Sequence, residues 1–169
     1  LPEQYADLVP LLSSDDEANF FYNMTHLQVH RRQRALVRFC SYCESGAIKK
    51  NVLMNIFYPL IRRNMLDTPS TQHHLIDECV KAIAAISKCV DWHAYKRIIV
   101  THLALLRTIR SRAKSAQQKK KPRVNVQNNA ALMALDKPVI RLIVQVIDNF
   151  HFDIDTSAEF GEQLPNLED

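Results

Sequence analysis

Only two glycines, Gly46 and Gly161, occur in 169 residues. Glycine supplies the positive-φ positions of hairpin turns and the close backbone approach of phosphate loops and dinucleotide fingerprints. A β-rich fold and a Gly-loop nucleotide enzyme are therefore both disfavoured. With 47% hydrophobic and 24% charged residues, the chain supports one sizeable core and falls short of two independent domains. Its first residue is Leu1 and its pattern opens mid-stream, which is expected of a piece of a longer protein.

Apolar residues recur at helical spacing along most of the chain. A short docking helix is expected near Asp15 to Met24, with acids leading and aromatics following. A second helix spans about Gln28 to Ser45, with Val29, Leu36, Cys40, Cys43 and Ala47 on one stripe and Gly46 as its C-terminal signal. A third, from about Lys49 to Met65, is kinked or interrupted by Pro59. The fourth runs from about Thr71 to Val90. The fifth, capped by Asp91, runs from Trp92 to about Ala116 with Tyr95, Ile98, His102, Leu106, Ile109 and Ala113 inward. A sixth follows Asp136, from about Lys137 to Asn149, and is apolar around more than half its circumference, so it calls for neighbours on two sides.

Helix starts near residues 28 and 71, and again near 49 and 91, place two antiparallel helix pairs 43 and 42 residues apart. That is the period of HEAT and armadillo arrays, roughly 40 to 47 residues. The expected fold is all-α, a fragment of a HEAT/armadillo-like helical-repeat solenoid. Its parts are an N-terminal segment (1–27), two helix pairs (28–113), a flexible basic insertion (114–135), a further repeat helix (136–150) and an acidic tail (151–169).

The net charge of +4 conceals a sharp segregation. Residues 1–25 carry −5, residues 26–123 carry +15 and residues 124–169 carry −6. Such a centre suits a phosphate-rich partner or an acidic protein surface through its long-range field and counterion release; a solvated helical surface is the plainer alternative. Arg31, Arg34 and Arg38 fall within about 60° on the second helix, away from its apolar stripe. Lys96, Arg107, Arg110 and Lys114 fall within about 40° of one line on the fifth. Lys119, Lys120, Lys121 and Arg123 extend the set into the insertion, where an RNA contact, a localisation signal and a plain linker all fit. Without interleaved aromatics, these groups suit backbone contact and not base reading.

Cys40, Cys43, Cys79 and Cys89 lie in helical apolar segments and read as buried thiols of a reducing compartment; Cys40-x-x-Cys43 has no second pair to complete a zinc site. No nucleophile–base or paired-carboxylate constellation is apparent, so no catalytic, cofactor or metal residues are assigned and the chain is not expected to be an enzyme. The sequon Asn23-Met24-Thr25 reads as a chance match. No stretch approaches the roughly 20 apolar residues of a membrane span, and neither a membrane nor a small-molecule substrate is expected.

The run Phe20-Phe21-Tyr22-Asn23-Met24-Thr25-His26-Leu27-Gln28-Val29-His30-Arg31-Arg32-Gln33-Arg34-Ala35-Leu36 resembles the F-F-x-N-x-x-H-x-Q-x-H-R-R-x-R-A-L signature of the small-subunit processome component 20 family, also called down-regulated in metastasis. The opening Leu1-Pro2-Glu3-Gln4-Tyr5 with Val9-Pro10-Leu11-Leu12, the helix start Trp92-x-x-Tyr95 and the ending Phe150-His151-Phe152-Asp153 are similar to it as well. The resemblance covers residues 1–109 and 136–153. It implies a very large nucleolar HEAT/armadillo scaffold associated with the small-subunit processome and the U3 small nucleolar ribonucleoprotein, supporting early cleavage of the ribosomal RNA precursor. Pre-ribosomal RNA, the U3 particle and other processome proteins are the implied partners, in the nucleus and nucleolus. No catalytic residue comes with it; the basic motif His30, Arg31, Arg32 and Arg34 is carried over as a contact set. The Lys119 to Arg123 insertion departs from the family pattern. A protein-only interaction module of a helical-repeat transport or adaptor protein, binding acidic peptides, remains the alternative.

Overall fold

The computed structural model describes residues 3–118 and 133–152, and all regular structure among them is helical. A 3-10 helix, Glu3–Leu11, leads to α1 (Phe20–Met24) and α2 (Val29–Glu44). Next come α3 (Lys50–Val52), a π-helical turn (Leu53–Phe57) and α4 (Tyr58–Asp67). α5 (His73–Lys88), α6 (Trp92–Gln118) and α7 (Asp136–Asp148) complete the array. The expected all-α helical-repeat class holds. Most of the insertion and nearly all of the acidic tail lie outside the described residues.

Local chemistry sets the boundaries. Gly46 takes φ +69°, and its N–H donates to Cys43 O at 3.0 Å, which ends α2 in the left-handed turn that glycine adopts without strain. Ala47 therefore falls outside the helix and is exposed, and the buried seam of α2 is Ala35, Leu36, Phe39 and Cys43. The kink expected at Pro59 takes the form of the π turn. Pro59 has no N–H to offer Asn55 O, and the added residue lets Tyr58 N bond Leu53 O instead, so helical direction continues. Asp91 caps α6 as expected, its Oδ1 accepting from Ala94 N at 2.9 Å. Asp136, expected as a cap, is instead the first residue of α7, with Leu135 in the cap position.

Long-range bonds fix the stacking. Near the starts of α2 and α5, Arg32 Nη2 donates to Gln72 Oε1 at 3.5 Å; at their ends, Cys89 Sγ donates to Cys43 O at 3.3 Å. The two helices therefore run parallel. α5 and α7 repeat the arrangement, with Arg141 on Asp77 at 2.7 Å near the starts and Asn149 Nδ2 donating to Ala84 O at 3.4 Å near the ends. α6 runs the other way along α7: Tyr95, early in α6, bonds Val146, late in α7, while Arg110 meets Asp136. The first helices α2, α5 and α7 thus form one parallel layer, and α5 at its centre buries residues around most of its circumference, from Leu75 and Ile76 to Ile86 and Ser87.

The core is continuous from Leu8 to Val146. At one end Phe20, Phe39 and Phe57 interlock, with Phe39 and Phe57 centroids 4.7 Å apart. At the other, Trp92 and Tyr95 meet Phe150 and Phe152 at 5.5 to 6.1 Å, so two separate motifs of the family resemblance are one aromatic cluster. α7 buries Val139, Leu142 and Val146, yet leaves Val144 and Ile147 about half exposed.

Candidate nucleic-acid interface

The basic motif of α2 is built into a clasp. Asn19 caps α1 through Tyr22 N, and the buried Asn23 donates its Nδ2 to the carbonyls of Asp16 and Asn19, both at 2.7 Å, which curls the acidic loop 13–19 back on itself. Arg31 Nη2 reaches the Glu17 carboxylate at 3.2 Å, and Arg38 Nη1 donates to the Glu17 carbonyl at 2.6 Å. Lys49 extends the fastening, its N–H donating to Asp7 Oδ2 at 2.8 Å and its ammonium lying 3.4 Å from Asp7 Oδ1. His26 Nδ1 accepts from Gln28 N at the entrance to α2. The signature around Phe20 to Leu36 is thus a folded unit in which Asn23 and His26 fix backbone and Arg31 holds a carboxylate, while Arg38 just beyond it holds a carbonyl. Of the expected ridge, Arg31 and Arg38 hold the acidic loop and Arg34 is exposed beside a shallow groove with His30, Val37 and Glu78; Arg32 of the basic motif, half-buried, holds the start of α5.

The second basic line remains on the surface. Lys96, Arg107, Arg110 and Lys114 are exposed along one face of α6 that is about 27 Å long at 1.5 Å per residue. Arg110 meets Asp136 at 3.5 Å, an exposed pair of little energetic weight. No ion pair among the described residues includes Lys96, Arg107 or Lys114. Val100 and Leu103, 54% and 38% exposed, lie on the same line at helical spacing. Lys119, Lys120, Lys121 and Arg123 lie outside the described residues.

Sequence reasoning missed the seam of α4 and α6, beside which Arg62 lies. Following one helix at a time could not show that α4 and α6 meet, where Tyr58 and His102 rings contact edge to face at 6.1 Å. His102 Nδ1 bonds Ile98 O at 2.8 Å; burial, aided by the Arg62 charge, lowers its pKa to about 4.

A hollow of about 910 Å³ opens across α2, α5 and α7 between Cys40, Glu44, Lys81, Lys88 and Asp148, a rim of mixed sign. Burial raises the Cys40 thiol to about 11 and Cys79 to about 12, and lifts Cys43 further, so these thiols stay protonated at neutral pH. No group of three or more His, Cys, Asp or Glu suited to a metal occurs among the described residues, and no described helix is long and apolar enough to cross a membrane.

No family model matches the chain. Two curated proteins do, both named U3 small nucleolar RNA-associated protein 20. The one from Schizosaccharomyces pombe is 36% identical over 164 residues, 96% of this chain, and the one from Saccharomyces cerevisiae is 29% identical over 115 residues, 68% of it. The chain spans about 6% and 4% of the length of these relatives. At this similarity along nearly its whole length, the chain belongs to the U3 small nucleolar RNA-associated protein 20 family.

Proposed function

We propose that the chain is a segment of a nucleolar α-solenoid scaffold of the small-subunit processome, supporting early processing of the ribosomal RNA precursor and small-subunit biogenesis. The observation that carries this reading is the similarity over 96% of the chain to a protein named for its association with U3 small nucleolar RNA. Its role is mechanical, not catalytic. Stacked helices present a long surface, and the Lys96–Arg107–Lys114 face offers positive charge to folded RNA without reading its bases. Pre-ribosomal RNA, the U3 ribonucleoprotein and neighbouring processome proteins are the proposed partners. The clasp of α1 and α2 holds one end of the segment in register, leaving contact to α6 and to the Lys119 to Arg123 tract.

RNA crosslinking and sequencing on the full-length protein in cells tests this. Crosslinks from this segment to precursor ribosomal or U3 RNA, reduced by Arg107→Gln with Lys114→Gln, are the expected result. Their complete absence here, with crosslinks from flanking repeats, would remove RNA from the reading. Val100 and Leu103 favour a second reading, because apolar groups between cations suit a protein partner; crosslinking of α6 to protein alone would select it.

A further inference from the structure

A cleft of about 370 Å³ opens where α3 and the π turn face the first turns of α6. Lys50, Asn51 and Asn55 line one wall, His93 and Arg97 the other, and all five are exposed. His93 and Arg97 stand one turn apart on α6, so both side chains project along the same wall. Among the described residues none of the five side chains makes a hydrogen bond or an ion pair, whereas Lys49, next to Lys50, is tied to Asp7. The one acid in the lining, Asp91, has its Oδ1 engaged by the Ala94 N–H at 2.9 Å. The buried Met54 and Ala94 supply the apolar part of the lining.

Resting on the reading of this segment as an RNA-contacting scaffold, we propose that this cleft seats a phosphodiester of bound RNA between Lys50 and Arg97.

Five side chains that can donate, beside one acid already engaged, make a lining that an oxyanion completes. The planar fork of Arg97 matches two phosphate oxygens, and Lys50 adds a point charge from the facing wall. The amides of Asn51 and Asn55 and a ring N–H of His93 donate as well, as the polar groups of phosphate-positioning contacts do. Concave walls focus the field of the two cations into the space between them. A carboxylate of a protein partner would meet the same donors, but the surroundings favour a polyanion. Lys96, the neighbour of Arg97, begins the exposed basic line of α6, so cationic groups run without interruption from Lys50 into that line. From Arg97 to Lys114 the helix rises about 26 Å, a length over which RNA presents successive phosphates and a single acidic side chain presents one charge. The cleft reads no bases, as expected of contacts that set register on an RNA backbone.

The test is titration of the full-length protein with a labelled RNA duplex at increasing salt, for the wild type and for Lys50→Gln with Arg97→Gln. Both positions are exposed, so the fold tolerates the change. The paired substitution is expected to flatten the slope of log affinity against log salt by about 1, the loss of one phosphate contact, and Lys50→Arg with Arg97→Lys to keep most of the slope. Lys88→Gln with Lys137→Gln removes the same charge from exposed positions outside the cleft and is expected to leave the slope as it was. Equal flattening in that control pair overturns the seat, since the general field would then account for the effect. An unchanged slope in the cleft variant, with binding still reduced by Arg107→Gln and Lys114→Gln, overturns the seat and leaves the scaffold reading standing. If neither of these pairs changes affinity or slope, both RNA assignments fall. Site-resolved crosslinking that joins Lys50 to a protein chain and to no RNA likewise overturns the seat.

Discussion

Arg38 donates to the main-chain carbonyl of Glu17 at 2.6 Å, so the contact does not depend on the side chain at position 17. Arg38→Ala is expected to loosen the loop 13–19 more than Glu17→Ala, which removes only the exposed ion pair with Arg31. Amide exchange across residues 15–19 should accelerate in the first variant, at a global cost of about 1 kcal/mol. Equal acceleration in both would show that the ion pair, and not the carbonyl contact, holds the loop.

Tyr95→Phe removes the 3.0 Å hydroxyl bond to Val146 O, which joins α6 to α7 across 51 residues. The ring stays packed among Trp92, Phe150 and Phe152, while a buried carbonyl loses its donor. A loss of about 1 to 2 kcal/mol in urea denaturation is expected, with faster exchange in α7. A neutral substitution would mean that water replaces the hydroxyl there.

His102 makes the fold acid-sensitive. An unfolded histidine takes up a proton near pH 6.5, whereas the buried ring does so at about 4. Its neutral form therefore favours the native state in full above about pH 6.5, and this contribution drains away as pH falls from there to about 4. The most it can supply is about 3 kcal/mol. His102→Asn keeps a donor for Ile98 O and does not titrate, so its thermal midpoint should fall less than that of the wild type between pH 7 and pH 4. Parallel curves for the two proteins would refute the assignment.

Gly46→Ala tests the end of α2. A Cβ there meets no atom within 4 Å, so the whole cost is the left-handed backbone at φ +69°. A loss of about 1 kcal/mol is expected in chemical denaturation, with a smaller loss for Gly46→Asn. A neutral Gly46→Ala would show that the turn relaxes to negative φ.

Helical periodicity made α5 and α6 legible because their apolar residues face neighbours over four or more turns; Tyr95, Ile98, His102 and Ile109 are all buried as the stripe implies. It failed at α2, where wheel geometry placed Arg31 and Arg38 opposite the core and left them without partners. Their partner, Glu17, lies 14 and 21 residues away on a loop shaped by Asn23, and no spacing along one helix reveals that. The contact of Tyr58 with His102 was hidden for the same reason, since it exists only where two helices meet. The π turn before Pro59 was readable as an interruption but not as a way of continuing the helix, which depends on the carbonyl of Leu53 finding Tyr58 N.

The parallel helices α2 and α5 are bonded at both ends, through Arg32 and Gln72 at one and Cys89 and Cys43 at the other. Two fixings separated by the length of a helix resist rotation in a way that one central contact does not. α7 is fastened to α5 in the same manner, so each layer fixes the angle of the next.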